Sequence, residues 1–416
     1  MSKKGVFEGV KVAEFSSAVV GPLCGKYLAD YGATAVRIES HRRVDILRVS
    51  SPYKGSTPHV DGSAFFSNFN TSRYSAALDL SKPKGREVAW RFIKWADIMI
   101  ENFSPGVASA WGLEYENVRK VRPDIIYLSS SVNGSYGPHA RYKAFGTLAT
   151  PLAAMGHISG WPDRPPSLPF DAYSDFLSPR FGATALLAAL LYRKRTGKGV
   201  YLEQSQTESN LQFMAPPIMD YIVNGRIINR NGNRLPYAAP HGVYPCQGDD
   251  RWVAISVFTD EEWRNFCQVL GEPQWTKRPE FATLSGRKEE EDELDKLIAE
   301  WTIKHTAEQV EELMQAAGIA ASVVETNQDI FEDPQVKERG YFRLLNHSYM
   351  GPHPCGGPSF RLSKMPDQQF GAPCLGEHSE YVYKELLGMS DEEIAELLIE
   401  GVITTEADLP QLRPGF

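Results

Sequence analysis

One aspartate stands where a carboxylate can do chemistry. Asp175 lies in the segment Tyr173-Ser174-Asp175-Phe176, just ahead of the apolar run Ala183–Leu191, which predicts a helix. A carboxylate at the start of a helix is tuned by the helix dipole, by packing and by limited contact with solvent. Such a group can act as a nucleophile, although an aspartate read without context is more often a helix cap. Both interpretations stay open at this level.

Two loops have the composition of ligand-binding turns. Ser16–Pro22 leads from a predicted strand into a predicted helix, which favours an anionic ligand, although a plain tight turn explains it equally well. Asn102–Gly106 follows another predicted strand, and ligands of open parallel sheets bind beyond the carboxyl ends of the strands. Backbone N–H donors for a negatively charged intermediate are expected in 16–22 and in 134–138.

Composition argues against several other kinds of site. The five cysteines, at positions 24, 246, 267, 355 and 374, form no Cys-x-x-Cys pair, and the histidines show no ligand spacing. Neither a disulfide framework nor a metal site is therefore predicted, and Cys24 is interpreted as a small buried apolar residue. A net charge of −8 argues against nucleic acid as a partner. The apolar run is too short to span a bilayer and the first residues lack an apolar signal region, so a cytoplasmic protein without a membrane partner is expected.

The elements that must position these residues alternate between strand and helix. Strands are predicted at Val10–Phe15, Thr34–Glu39, Tyr74–Leu80, Asp97–Glu101, Ile125–Ser131 and Val200–Glu203. Helices are predicted at 21–31, 83–96, 115–121 and 143–155, and after Asp175 as far as Gly197. This alternation predicts a doubly wound α/β fold built on a parallel sheet.

Three stretches depart from the alternation. Residues 40–73 show no sustained period and are predicted to form a long loop that belongs to a site. After about residue 224 an Asn-, Arg- and Pro-rich stretch precedes a strand at 252–257 and helices at 260–270, 287–302 and 306–317, which predicts a smaller domain. From residue 329 the chain returns to strands and a final helix.

A series of short motifs runs nearly end to end. They are Gly9–Phe15, Gly21-Pro22, Leu28–Ala33, Ala77–Leu80, Glu101–Val107, Gly134–Pro138, Arg195–Gly199, Asp333-Pro334 and Leu375–His378. Each is weak alone, but in number, order and spacing the chain resembles the class III CoA-transferases. That family contains formyl-CoA:oxalate and carnitine CoA-transferases, and also α-methylacyl-CoA racemases.

The resemblance implies a particular architecture. A large Rossmann-like domain is expected from both ends of the chain, residues 1–224 and 329–416, with a smaller central α+β domain at 225–328. Two chains are expected to thread through one another like linked rings. The partner implied is a second copy of the chain or a homologous subunit.

The resemblance also assigns roles to particular residues. Asp175 takes the place of the nucleophilic aspartate, whereas Asp171 is out of register and is expected to be a surface or hydrogen-bonding residue. The positions expected to contact CoA are Val19, Leu78, Asn102, Phe103, Val107 and Lys143. Some positions depart from the family pattern: Val19 replaces a glutamine, Ala110 and Ser40 replace basic residues, and Pro179 replaces a glycine. CoA enters as a substrate, and no tightly bound cofactor or metal is implied.

The reaction implied is transfer of CoA from an acyl-CoA to a carboxylic acid through an aspartyl anhydride and an aspartyl-CoA thioester. Two alternatives stay open: an acyl-CoA racemase or epimerase, and a non-catalytic subunit of a heteromeric transferase. A racemase needs an acid/base pair, and the stretch Tyr142–Met155 contains no histidine for it. Asp175 argues against a non-catalytic subunit.

The acceptor acid is suggested only by composition. The stretches 40–75 and 139–176 are rich in aromatic residues, Phe170 among them, and contain several arginines. Aromatic walls with an arginine suit an aromatic or dicarboxylic acid such as benzylsuccinate, with succinyl-CoA as the donor. For most of these aromatic residues, ordinary core and loop packing is the preferred explanation.

Overall fold

The structure is a computed structural model that describes residues 5–56, 58–169 and 172–410. Its chain divides into two compact units. The first comprises Met1–His157, Ser167–Ile228 and Arg339–Phe416, and the second comprises Ile158–Pro166 and Asn229–Glu338. The assignment of 1–224, 225–328 and 329–416 as domains stays a prediction. Phe170 and Asp171 lie outside the described residues.

The first unit is built on a parallel sheet. Within the described residues its strands are β1 (Lys11–Phe15), β2 (Thr34–Glu39), β3 (Tyr74–Ala77), β4 (Ile98–Glu101), β5 (Ile126–Ser131) and β6 (Val200–Ser205). Their order is β3-β2-β1-β4-β5-β6, and every neighbouring pair is parallel. This is the strand order of a doubly wound sheet, so the predicted α/β fold is confirmed.

Helices and a hairpin complete the first unit. Its helices are α1 (Val20–Ala29), α2 (Ala64–Phe69), α3 (Pro83–Trp95), α4 (Val107–Ala110), α5 (Tyr115–Val121), α6 (Gly146–Leu152), α7 (Met155–Ile158, whose last residue is assigned to the second unit), α8 (Tyr173–Thr196), α9 (Gln206–Leu211) and α10 (Ala215–Asn224). Near the end of the chain, β10 (Phe342–His347) and β11 (Gly351–Gly356) pair as an antiparallel hairpin. α17 (Ser379–Tyr381), a π-helical turn (Val382–Leu386) and α18 (Asp391–Ile399) follow the hairpin.

Both faces of the sheet are covered, which explains its apolar strands. Val12 belongs to one buried cluster and Ala13 to another, and Ile98 and Met99 divide in the same way. Successive side chains of a strand point to opposite faces, so alternate residues of each strand reach different cores. A parallel sheet buried on both faces requires such continuous apolar strands.

The second unit contains an antiparallel sheet and helices. Its strands in the described part of the chain are β7 (His241–Pro245), β8 (Trp252–Ser256) and β9 (Ala320–Val323), in that order. Its helices are α11 (Asp260–Val269), α12 (Leu284–Glu289), α13 (Glu291–Thr302), α14 (Ala307–Ala316), α15 (Asn327–Glu332) and α16 (Pro334–Glu338). The strands and helices share one apolar core that includes Val253, Phe266 and Ile298.

Several predicted elements differ from the structure. Residues 40–73, predicted to form a long loop, contain α2 and two short 3₁₀ turns. Ser63 stabilises the start of α2 by accepting a hydrogen bond from the N–H of Phe66. The helix predicted at 143–155 divides into α6 and α7, with Ala154 between them at φ 64°. The helix after Asp175 begins at Tyr173, so Asp175 lies inside its first turn.

No helix among the described residues is long and apolar enough to cross a membrane.

Candidate active site

The loops after β1 and β4 meet at the centre of the sheet. The strand order reverses direction between these two strands, which is where open α/β sheets bind ligands. The side chain of Asn102, just beyond β4, accepts the N–H of Ser17 and donates to the Ser17 carbonyl, both at 2.8 Å. The amide of Asn102 therefore fixes the loop that leads from β1 into α1.

Asp175 lies in the first turn of α8 and is partly buried. Its neighbour Ser174 is fully buried and donates a hydrogen bond to the carbonyl of Gly146 at 2.8 Å. The hydroxyl of Thr150 donates to the same carbonyl at 3.1 Å, and Ser174 lies 3.3 Å from the side-chain oxygen of Gln206. These buried contacts join α6, α8 and α9 beneath Asp175 and define the position of its backbone.

Gly146, the first residue of α6, lies directly against the carboxyl group of Asp175. A methyl group at this position would overlap all three atoms of that carboxyl group. Gly146 is not among the site residues predicted from the sequence, because it lies inside the longer helix predicted at 143–155. A glycine within a helical pattern lowers helix stability and often indicates close approach of another group, and that signal was present in the sequence.

The N-terminal ends of α1 and α8 share one apolar cluster. Val19 and Leu23 are buried in it, and Phe176 packs against it beside Phe69, with ring centroids 5.4 Å apart. Deeper between the two helices, the thiol of Cys24 lies 3.6 Å from the carbonyl of Pro179. Burial raises the pKa of the Cys24 thiol to about 12, so this cysteine is protonated and has a packing role.

The other residues predicted to contact CoA lie at the same edge of the sheet or near it. Leu78 follows β3 and is 1% exposed, whereas Asn102, Phe103 and Val107 follow β4 and are partly exposed. Lys143 is exposed in the segment that leads to α6. The structure therefore brings Val19, Asn102 and the helix carrying Asp175 together, with Leu78 two strands away from β1.

A buried glutamate shapes the turn after β4. Glu101 accepts the N–H of Phe103 at 2.8 Å, and the ring of Phe103 contacts Trp111 edge-on at 5.0 Å. Glu101 also borders a cavity of about 110 Å³ beside Phe103 and Tyr201. Burial raises the pKa of Glu101 to about 6.

Backbone donors differ between the two predicted anion-binding loops. In the segment 134–138, the N–H of Ser135 is taken by the carboxylate of Glu203 at 2.6 Å. In the loop after β1, the N–H of Ser17 donates a hydrogen bond to Asn102, and the N–H of Ala18 donates one to Asp45. The hydroxyl of Ser16, which is 5% exposed, has no hydrogen-bond partner among the described residues and lies against Gly21 in α1.

No group of three or more histidine, cysteine, aspartate or glutamate side chains in the described ranges is arranged to hold a metal ion.

Comparison with known proteins decides the family. The model described as CoA-transferase family III matches residues 7–379. The chain belongs to CoA-transferase family III. This match confirms the family and the enzyme class expected from the sequence.

Other CoA-transferases are similar over nearly the whole chain. The succinyl-CoA–D-citramalate CoA-transferase of Chloroflexus aurantiacus is 31% identical over 95% of this chain and 98% of its own length. The acetyl-CoA:oxalate CoA-transferase of Acetobacter aceti is 30% identical over 92% of this chain and 96% of its own. A solved CAIB/BAIF family protein from Brucella suis is 27% identical, with a TM-score of 0.84 over 92% of this chain and 100% of its own.

Proposed function

We propose that this family III CoA-transferase carries CoA between two carboxylic acids through covalent intermediates on Asp175. The observation that carries the proposal is the position of the Asp175 carboxyl group. It lies in the first turn of α8, against the backbone of Gly146, and α8 packs on α1 beside the loops after β1 and β4. A carboxylate becomes an effective nucleophile when packing removes part of its hydration.

The reaction has four balanced steps. The Asp175 carboxylate attacks the carbonyl carbon of the donor thioester, which forms a mixed anhydride and releases CoA thiolate. The thiolate then attacks the aspartyl carbonyl, which forms an aspartyl-CoA thioester and releases the donor acid. The acceptor carboxylate attacks this thioester, giving a second anhydride and CoA thiolate. Attack of the thiolate on the acceptor's acyl carbon yields the new acyl-CoA and restores Asp175. The thioester energy is conserved at each step, so the reaction needs no ATP.

Each addition places negative charge on a carbonyl oxygen, which requires hydrogen-bond donors. The N–H groups of Val19, Val20 and Gly21, at the N-terminus of the ten-residue helix α1, are our candidates. The first N–H groups of a helix lack intrahelical acceptors and carry partial positive charge. The unpartnered hydroxyl of Ser16, which lies against Gly21, is a further donor at this position.

We assign CoA itself to the edge of the sheet on either side of the loop after β1. The backbone and side chains proposed to contact it are those of Val19, Leu78, Asn102, Phe103, Val107 and Lys143. Because Asn102 already uses its side-chain amide to hold Ser17, its own contact with CoA is assigned to the backbone. Lys143 is free to reach a phosphate because it is exposed.

The names of the relatives guide the choice of acids. Besides the two relatives above, a mouse protein named succinyl-CoA:glutarate CoA-transferase is 26% identical over 95% of this chain. Most of these names contain succinyl-CoA, and every acceptor named is a dicarboxylic acid. We therefore propose succinyl-CoA as the donor and a dicarboxylic acid as the acceptor, with benzylsuccinate as the aromatic candidate.

We also propose that two chains interlock. None of the ten residues of α10 is buried in the single chain, and Met219, Ile222 and Val223, which lie on consecutive turns, are 50%, 64% and 75% exposed. Exposed apolar residues on consecutive turns of one helix are typical of a surface that a partner covers. The partner is a second copy or a homologous subunit, since one relative from Chloroflexus aurantiacus is named as a beta subunit.

The test is a CoA-exchange screen read by mass spectrometry. Succinyl-CoA and acetyl-CoA are each offered with oxalate, malate, citramalate, glutarate, benzylsuccinate and a branched monocarboxylic acid. We expect transfer from succinyl-CoA to at least one dicarboxylic acid. Asp175→Asn should lower kcat by about 10³-fold or more, because the nucleophile is lost.

The matched control is Asp163→Asn, since Asp163 is an exposed loop carboxylate. It should leave transfer unchanged. Unchanged turnover in Asp175→Asn would contradict the proposal that Asp175 is the nucleophile. Inversion of a 2-methylacyl-CoA without any transfer would favour the racemase instead.

A further inference from the structure

The loop between β1 and α1 is held from two sides. On the β4 side, Asn102 exchanges two hydrogen bonds with the backbone of Ser17. On the β2 side, the Asp45 carboxylate accepts the N–H of Ala18 at 2.8 Å. The two anchors act on consecutive residues, immediately before the first turn of α1.

Ala18 adopts a conformation that alanine disfavours. Its φ is 57°, in the left-handed region where a Cβ atom crowds the backbone and where glycine is the usual residue. Non-glycine residues persist there when their surroundings hold them, and they concentrate at functional sites. The hydrogen bond from Ala18 to Asp45 is such a restraint.

Asp45 is itself rigidly held. It is 7% exposed, and its second oxygen accepts the N–H of Leu47 at 2.8 Å, which caps a short 3₁₀ helix. The oxygen that accepts Ala18 is also paired with the guanidinium of Arg37, a fully buried residue of β2. The position of the carboxylate is therefore set by the sheet, and the carboxylate transmits that position to the loop.

We infer that Asp45 is a positioning residue for CoA transfer. It holds Ala18 in the left-handed conformation, and this directs the N–H groups of Val19, Val20 and Gly21 toward the thioester carbonyl. The inference rests on the proposed function, because it assumes that the thioester lies between α1 and Asp175. Asp45 touches no reacting atom, so its removal should affect the chemical step through the shape of the loop.

A double-mutant cycle between Asp45 and Ala18 tests this role. Asp45→Ala should lower kcat by at least about tenfold, with a smaller change in KM for the acyl-CoA. Ala18→Gly alone should lower kcat by about two- to threefold, because glycine lets the loop sample more conformations. In Asp45→Ala/Ala18→Gly, kcat should recover by about threefold or more relative to Asp45→Ala, since glycine adopts positive φ without a restraint.

Loss of Asp45 also removes one partner of the buried Arg37, which could lower stability by itself. A second variant therefore changes the loop and keeps the ion pair between Asp45 and Arg37. Ala18→Val should lower kcat by at least about tenfold in a folded protein, because a β-branched residue resists positive φ. The control is Asp30→Ala, which breaks the buried pair with Lys26 at the opposite end of α1. It should lower the melting temperature and leave kcat for the folded fraction unchanged.

Two results would overturn the inference while leaving the proposed function intact. One is an unchanged kcat in Asp45→Ala or in Ala18→Val while transfer still depends on Asp175. The other is a double variant whose loss equals the product of the two single losses. If Asp175→Asn transfers CoA as fast as the wild type, the proposed nucleophile and this inference both fail.

Discussion

The contact between Gly146 and Asp175 leads to a prediction about a single methyl group. Gly146→Ala should fold, since alanine suits the first turn of α6 and the free energy of unfolding should change by about 1 kcal/mol or less. The new methyl group would displace the Asp175 carboxyl group, so kcat should fall by about tenfold or more. The measurement is steady-state CoA exchange together with thermal unfolding.

A second glycine provides the control for that experiment. In Gly156→Ala, the added methyl group would meet its nearest neighbour, Leu168, at 3.4 Å, which is ordinary contact. This variant should keep both kcat and stability. Equal kcat in Gly146→Ala and the wild type would show that catalysis does not depend on the exact position of the Asp175 carboxyl group.

At the scale of residues, the sequence proposes a candidate nucleophile but not its environment. Asp175 is proposed from its place before a helix and from the family register, and both are properties of the linear chain. Its contact with Gly146 and the restraint of Ala18 by Asp45 depend on backbone dihedrals and on segments far apart in sequence. The glycine at position 146 indicates that another group comes close, but no local pattern says which group that is.

At the scale of elements, the strands were predicted closely and the helix limits less well. β1, β2 and β4 follow the predicted apolar runs because both faces of the sheet are buried. α2 was missed because six residues are too few to establish a helical period. The predicted start of α8 was too late. Proline usually interrupts a helix, but Pro179 lies inside α8 and the helix begins before it, at Tyr173.

The hairpin of β10 and β11 should make stability depend on pH. His347, 2% exposed, accepts the N–H groups of Tyr349 and Met350 through Nδ1, both at 3.2 Å. Burial lowers its pKa to about 4; Asp61 and Glu377 oppose this shift, and Arg48 and His353 add to it. The unfolded chain binds a proton near pH ~6.5, so between about 6.5 and 4 it binds more protons than the folded chain. Stability should therefore fall as pH is lowered through this range.

The variant His347→Asn isolates that contribution, because its amide oxygen can accept the same N–H groups without titrating. Between pH 7 and 5 the wild type should lose about 1–2 kcal/mol more than the variant in urea unfolding. His139→Asn, at an exposed histidine, should behave as the wild type does. If His347→Asn loses as much stability as the wild type, another group causes the dependence.

At the scale of the whole molecule, the site depends on topology that the sequence implied only through resemblance. The strand order places the loops after β1 and β4 side by side, although 85 positions separate Ser17 from Asn102. Alternation of strands and helices predicts a parallel sheet, but it does not say which strands are neighbours. The return of 339–416 to the first unit is equally a long-range property.

The last prediction concerns the proposed interlocking of two chains. Linked rings cannot separate without unfolding, whereas an ordinary dimer exchanges its subunits at the rate of dissociation. We mix two preparations that carry different tags and follow mixed dimers by native mass spectrometry. No mixed dimers should form under native conditions over days, and about half of the dimers should be mixed after joint denaturation and refolding. Mixed dimers in the native sample would indicate an ordinary dimer and contradict interlocking. The mass of a single chain in every sample would contradict the proposal that a partner covers the exposed apolar residues of α10.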